Sequence, residues 1–192
     1  MPDVFTVLRA DHDEVKAMLA RLADGPRAAD GASAEQLAQR QQLLEEVIIE
    51  EARHEAAEQQ HFWPAMQALG VDGARIAEQA LEQEAAADKV LSQLSELSPG
   101  DAEFEPLLAR FIRDARSHIT FEEAHAWPLL GVEITQARAE ELGEAVIRAK
   151  KMAPTRPHPS IPPQGLAQKA ASPVAAVADK VRDTLSGRGR QQ

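Results

Sequence analysis

The chain of 192 residues contains no cysteine and no tyrosine, and aromatic residues make up only 4% of it. Without thiolates it has no disulfide framework, no thiolate-bound zinc, no iron–sulfur cluster and no cysteine nucleophile, so any metal must sit on nitrogen and oxygen. Without tyrosine there is no phenol to carry a radical. No apolar run approaches membrane-spanning length, and the N-terminal MPDVFTVLRADHDEV is charged within its first dozen residues and has no apolar signal-like core. A cytoplasmic protein without membrane contact is therefore expected. A phosphate-binding glycine loop and a Ser-His-Asp arrangement are also missing, which disfavours nucleotide and nucleophilic chemistry.

What is abundant is Ala, Leu, Glu and Gln, the composition of a helix-former, and the class expected is all-α. The length suits one domain with appendages rather than two domains. Net charge is −10, but the stretch from Ala153 onward carries six Lys and Arg against two Asp, leaving the preceding part at −14. Such an acidic body repels nucleic acid, and none is expected as a partner.

Apolar residues recur at spacings of three and four in four successive segments. Phe5, Leu8, His12, Val15, Leu19 and Leu22 define a first helix that ends before Gly25-Pro26. Ser33 can cap a second, in which Leu37, Leu44, Val47, Ile48, His54, Glu58 and His61 follow helical spacing towards Gly70, with Pro64 kinking its end. Asp72 can cap a third, whose heptad seam of Ile76, Ala80, Gln83, Ala87, Val90, Leu94 and Leu97 runs to Ser98-Pro99-Gly100. Asp101 opens a fourth, with Leu107, Leu108, Phe111, Ile112, Ala115, His118, Glu122 and His125 on one broad face.

Four such helices with short loops form an up-down four-helix bundle. A short fifth helix from about Thr135 to Lys150 caps it, giving a domain over 1–152. Residues 153–192 form a Pro-rich, mildly basic tail. It opens with PTRPHPSIPP and has a possible amphipathic helix over Val174 to Leu185, with His158 solvated between prolines.

One pattern occurs twice. His54-Glu-Ala-Ala-Glu58-Gln-Gln-His61-Phe-Trp63-Pro64 and His118-Ile-Thr-Phe-Glu122-Glu-Ala-His125-Ala-Trp127-Pro128 both read HxxxExxHxWP. At about 100° per residue, positions i, i+4 and i+7 share one helix face, so each segment aims two imidazoles and a carboxylate into the bundle. Burying these groups among Leu and Ile is costly unless they bind a cation. Imidazole and carboxylate without sulfur suit iron, manganese or zinc, and carboxylates from two facing helices can bridge two ions. His12, on the apolar stripe of the first helix, supplies a further ligand.

Taken in order, His12 in RADHDEV, then an HxxxE ending in aromatic-Pro, then a second one, resemble the hemerythrin-like HHE cation-binding family over about residues 1–150. The Pro-rich tail resembles tails of actinobacterial members. The resemblance implies that Glu58 and Glu122 bridge two irons, with His12, His54 and His118 as terminal ligands. It also exposes a departure. Family members usually carry a histidine on the third helix, whereas Leu81-Glu-Gln-Glu-Ala-Ala-Ala-Asp88 has none. His61 and His125 are read as substitutes, completing a metal set of His12, His54, Glu58, His61, His118, Glu122 and His125.

Those seven residues and a solvent-derived bridge fill all but about one of the roughly twelve positions of two octahedral ions. The expected function is a non-haem di-iron protein that binds or turns over dioxygen, peroxide (catalase-like) or nitric oxide. Ferritin-like iron oxidation and storage, or a metal-stabilised interaction module, are the alternatives. Trp63 and Trp127 are expected to pack the bundle end without a site role. Gln83 and Glu84 are either outer partners of a histidine N–H or ordinary polar contacts, and Glu45-Glu46 and Glu50-Glu51 read as solvated faces.

Overall fold

The structure is a computed structural model and describes residues 1–153. The Pro-rich segment, His158 and the helix expected over Val174 to Leu185 lie outside the described residues. Among the described residues five long helices form the body, with a 3₁₀ turn, Ala28–Asp30, between the first two. α1 spans Val4–Asp24, α3 Val71–Leu94 and α5 Gln136–Met152. α2 and α4 are composite: α2 runs Ala34–Ala57, then a π-helical turn Glu58–Phe62, then Trp63–Gln67. α4 likewise runs Phe104–Phe121, a π turn Glu122–Ala126 and Trp127–Glu133. The expected bundle of four helices with a short fifth is thus present, and α5 packs against both α1 and α2. Among the described residues no helix is long and apolar enough to cross a membrane.

Side-chain caps fix three of the helix starts. The Thr6 N–H donates to Asp3 Oδ1 at 2.7 Å, and the Arg138 N–H to Thr135 Oγ1 at 3.3 Å. Ser33 and Gln36 form a reciprocal capping box. One expected cap and one expected helix start are displaced. α3 begins two residues early, at Val71 with Gly70 rather than Asp72 in the cap position, because Gly70 adopts φ 94° and turns the chain directly into the helix. Asp101 instead accepts the Ser98 N–H at 2.6 Å in the preceding loop, and α4 starts at Phe104 without a side-chain cap.

Pro64 and Pro128 both lie inside helical segments. Each comes after a π turn in which the tryptophan N–H, of Trp63 or Trp127, bonds the carbonyl of Glu58 or Glu122 five residues back. Proline has no N–H and clashes with the carbonyl four residues before it, and the wider turn accommodates that conflict without ending the helix.

The core falls into two apolar clusters. One holds Val15, Leu19, Leu44, Ile48, Val90, Phe111 and Ile119, and the other Leu8, Phe62, Trp63, Ala80, Ala126 and Leu142. Between them, at the same level on four helices, lie buried polar side chains: His12 on α1, His54 and Glu58 on α2, Glu84 on α3, His118 and Glu122 on α4. Each such helix passes from one apolar cluster to the other through this layer.

Candidate metal centre

These six side chains converge. Ligand atoms of His12, His54, Glu58 and Glu122 lie within 4.8 Å of one another, and so do those of Glu58, Glu84, His118 and Glu122. The two groups share both HxxxE glutamates. Glu122 divides its oxygens between them: Oε2 is 3.0 Å from His12 Nε2 and Oε1 is 3.1 Å from His118 Nε2. Glu58 Oε2 stands 3.2 Å from His54 Nε2. A carboxylate with one oxygen facing each group is placed to bridge two cations.

Close approach does not make these contacts hydrogen bonds. Nε2 of His12 and His118 and both oxygens of Glu58 and Glu122 are buried and lack a partner in acceptable geometry. Each unsatisfied buried group costs about 1–3 kcal/mol. A layer of such atoms, aimed at common points rather than along N–H axes, fits a pair of cations. Three imidazoles and three carboxylates are the donor set of iron or manganese, with zinc also accommodated.

The outer nitrogen of every histidine in the layer is engaged. His12 Nδ1 meets Glu123 Oε1 at 3.0 Å, and that oxygen accepts from Lys16 Nζ at 2.7 Å. His54 Nδ1 faces Asp11 Oδ2 at 3.4 Å, and Asp11 Oδ1 accepts from Lys150 Nζ at 2.5 Å. His118 Nδ1 lies 2.9 Å from Gln83 Oε1. With Nδ1 as donor, each ring turns its basic Nε2 to the centre, the arrangement that fixes metal-ligating histidines. Gln83 is thus the outer partner that the sequence allowed it to be.

Charge in the cation-free layer settles on two imidazoles, those of His118 and His54. Burial opposes an imidazolium at His118, but the carboxylate of Glu122 outweighs it and lifts the ring to about 9. His54 is raised well above its ordinary value against the same burial, chiefly by Glu58. Glu122 stays far below the usual carboxylate range despite burial, held there first by His118. Glu84 is pushed up to about 8 by burial and then by Glu58. Cation binding must therefore expel protons.

Five of the seven residues expected as ligands meet here. His61 and His125 do not. His61 is half-buried, and burial together with Arg148 and Arg138 of α5 lowers its pKa. His125 is exposed, with its ring 5.1 Å from that of Phe121. The reason is the π turns, which begin at Glu58 and Glu122. An inserted residue rotates the helix beyond it by up to about 100°, so the i+7 position leaves the face that i and i+4 share.

Glu84 on α3, a residue not among the expected ligands, joins Glu58, His118 and Glu122 in the second ligand group. It accepts from Gln59 Nε2 and from the Trp63 indole Nε1, both at 2.5 Å. Trp63 therefore braces the centre, contrary to the expectation that it only packs. Trp127 also reaches it, stacking on His12 with centroids 4.9 Å apart and a 17° interplanar angle. Glu51, read as solvated, is buried as well. The sequence signal for Glu84 was its register: it lies one turn beyond Ala80 and flanks the seam position Gln83 of α3.

A bundle with paired HxxxE helices and a buried His/Glu layer defines a cation-binding helical protein. The model of the hemerythrin HHE cation binding domain matches residues 3–130, and the chain belongs to that family. It is 27% identical over 139 residues to an uncharacterized hemerythrin-like protein of Schizosaccharomyces pombe, covering 72% of this chain and 68% of that one. Its fold resembles the crystal structure of an HHE cation binding domain-containing protein from Mycobacterium kansasii. That likeness has a TM-score of 0.64 at 22% identity, over 95% of this chain and 99% of the other.

Proposed function

We propose that this protein holds two iron ions in the buried layer and turns over hydrogen peroxide there. The observation that carries the reading is the pair of ligand groups sharing Glu58 and Glu122. Three imidazoles, two bridging carboxylates and Glu84 donate about eight or nine bonds, against roughly twelve positions on two octahedral ions. Removing His61 and His125 from the ligand set leaves more room for a small molecule than the seven-ligand set would. That favours turnover of peroxide over reversible carriage of dioxygen or nitric oxide.

Two irons supply two one-electron changes, matching disproportionation in which one peroxide is oxidised to dioxygen and a second is reduced to two waters. The chain does the rest. His12, His54 and His118 present Nε2, while Glu123, Asp11 and Gln83 hold Nδ1. The apolar clusters on both sides of the layer limit access of bulk water. Glu84 keeps its proton through neutral pH in the cation-free protein and sits against the Trp63 indole.

Iron-loaded protein mixed with peroxide in an oxygen electrode is expected to release one dioxygen per two peroxides. Full iron loading with no oxygen release would overturn the peroxide reading. Ferrous oxidation with storage has one observation in its favour: Glu51 and Glu55 are buried, and burial pushes both carboxyls up. Uptake of many more than two irons per chain would select it.

A further inference from the structure

The two ligand groups are braced differently. His118 leans on a neutral amide, Gln83. His54 leans on Asp11, whose other oxygen is held by Lys150 at 2.5 Å, and that lysine reaches a second carboxylate, Glu50 Oε2, at 3.6 Å. Lys150 belongs to α5, beyond the residues 3–130 that the family's domain covers. A helix outside the defining domain thus touches the outer edge of the centre.

The register of that helix is fixed. At Gly143 a Cβ would stand 2.5 Å from the Pro2 carbonyl oxygen and 3.0 Å from the Val4 nitrogen, so only glycine lets α5 lie this close to the start of α1. Seven residues on, about 10 Å along the axis, α5 brings Lys150 level with Asp11. Sliding α5 by one residue, about 1.5 Å, would separate a charge pair whose side chains are 18% and 14% exposed. Without the ammonium, Asp11 would keep His54 as its remaining cationic partner, with nothing to hold its carboxylate in place.

We propose that Lys150 is a positioning residue for the cation bound through His54, acting through Asp11, so that α5 sets the affinity of one of the two cation positions and not the other. The inference rests on the two-cation reading above. A packing salt bridge with no such role would affect stability alone.

The test is anaerobic titration of the metal-free full chain with ferrous iron against a competing chelator, resolving two stepwise dissociation constants. Lys150→Met is expected to weaken one step by about 10–100-fold and to leave the other within about twofold, the range seen when an outer partner of a metal histidine is lost. Lys150→Arg should restore the wild-type constants, and Lys151→Met, next along the helix, should leave both unchanged. Asp11→Asn should weaken the same step, and it carries the test if Lys150→Met does not fold. Unchanged constants in Lys150→Met and Asp11→Asn, or equal weakening of both steps with a lowered Tm, overturn the inference while the two-cation reading stands. A wild-type chain that takes up no iron overturns both.

Discussion

Glu58 and Glu122 each begin a π-helical turn, and their carboxylates face one another within 4.8 Å at the centre of the bundle. Because both belong to both ligand groups, neither group is complete without them. Glu122→Gln keeps the shape but offers one acceptor oxygen where two are needed. The expected result is at most one tightly held ion per chain, read by elemental analysis after gel filtration.

The histidines beyond the π turns, half-buried His61 and exposed His125, should take no part in holding the cations. His61→Ala and His125→Ala are expected to leave metal content unchanged and to shift stability by no more than about 0.5 kcal/mol. Glu84→Gln, by contrast, should weaken the ion shared with His118, which stepwise titration would show.

That contrast marks how far the sequence is legible. Helix periodicity and the HxxxE spacing led to five residues that the fold gathers in one buried layer, because between positions i and i+4 the backbone remains an ordinary α-helix. They misled at His61 and His125 because the i+7 position assumes that α-helical geometry continues, and in α2 and α4 it does not. Each Trp-Pro was the available clue to that change, since a proline following a π turn marks where the helix widens. Glu84 was hard to place because a glutamate beside an apolar seam, following Glu82 and Gln83, looks the same whether it binds a cation, a histidine or water. Its role comes from the position of α3 opposite both π turns, a tertiary fact.

The layer should also make metal-free protein alkali-sensitive. His118 rises from 6.5 to about 9, and Glu84 from 4.5 to about 8, so the folded state binds more protons than the unfolded one between about pH 4.5 and 9. Stability then falls with rising pH across that window. The His118 contribution is complete below about 6.5 and is lost as pH passes 9. Thermal melts of metal-free protein should show a Tm declining from pH 6 to 9. Because binding expels the same protons, iron affinity should rise over that range.

Close packing of α5 on the start of α1 gives a further prediction. Gly143→Ala forces a methyl group against the Pro2 carbonyl and should cost about 1–3 kcal/mol of folding stability, measured by urea unfolding.

The most direct test of two cations sharing Glu58 and Glu122 is a crystal structure of iron-loaded protein with anomalous data at the iron edge. The account predicts two peaks about 3.5–4 Å apart, one beside His12 and His54 and the other beside His118 and Glu84, with both glutamates between them. A single peak, or peaks ligated by His61 or His125, would contradict it.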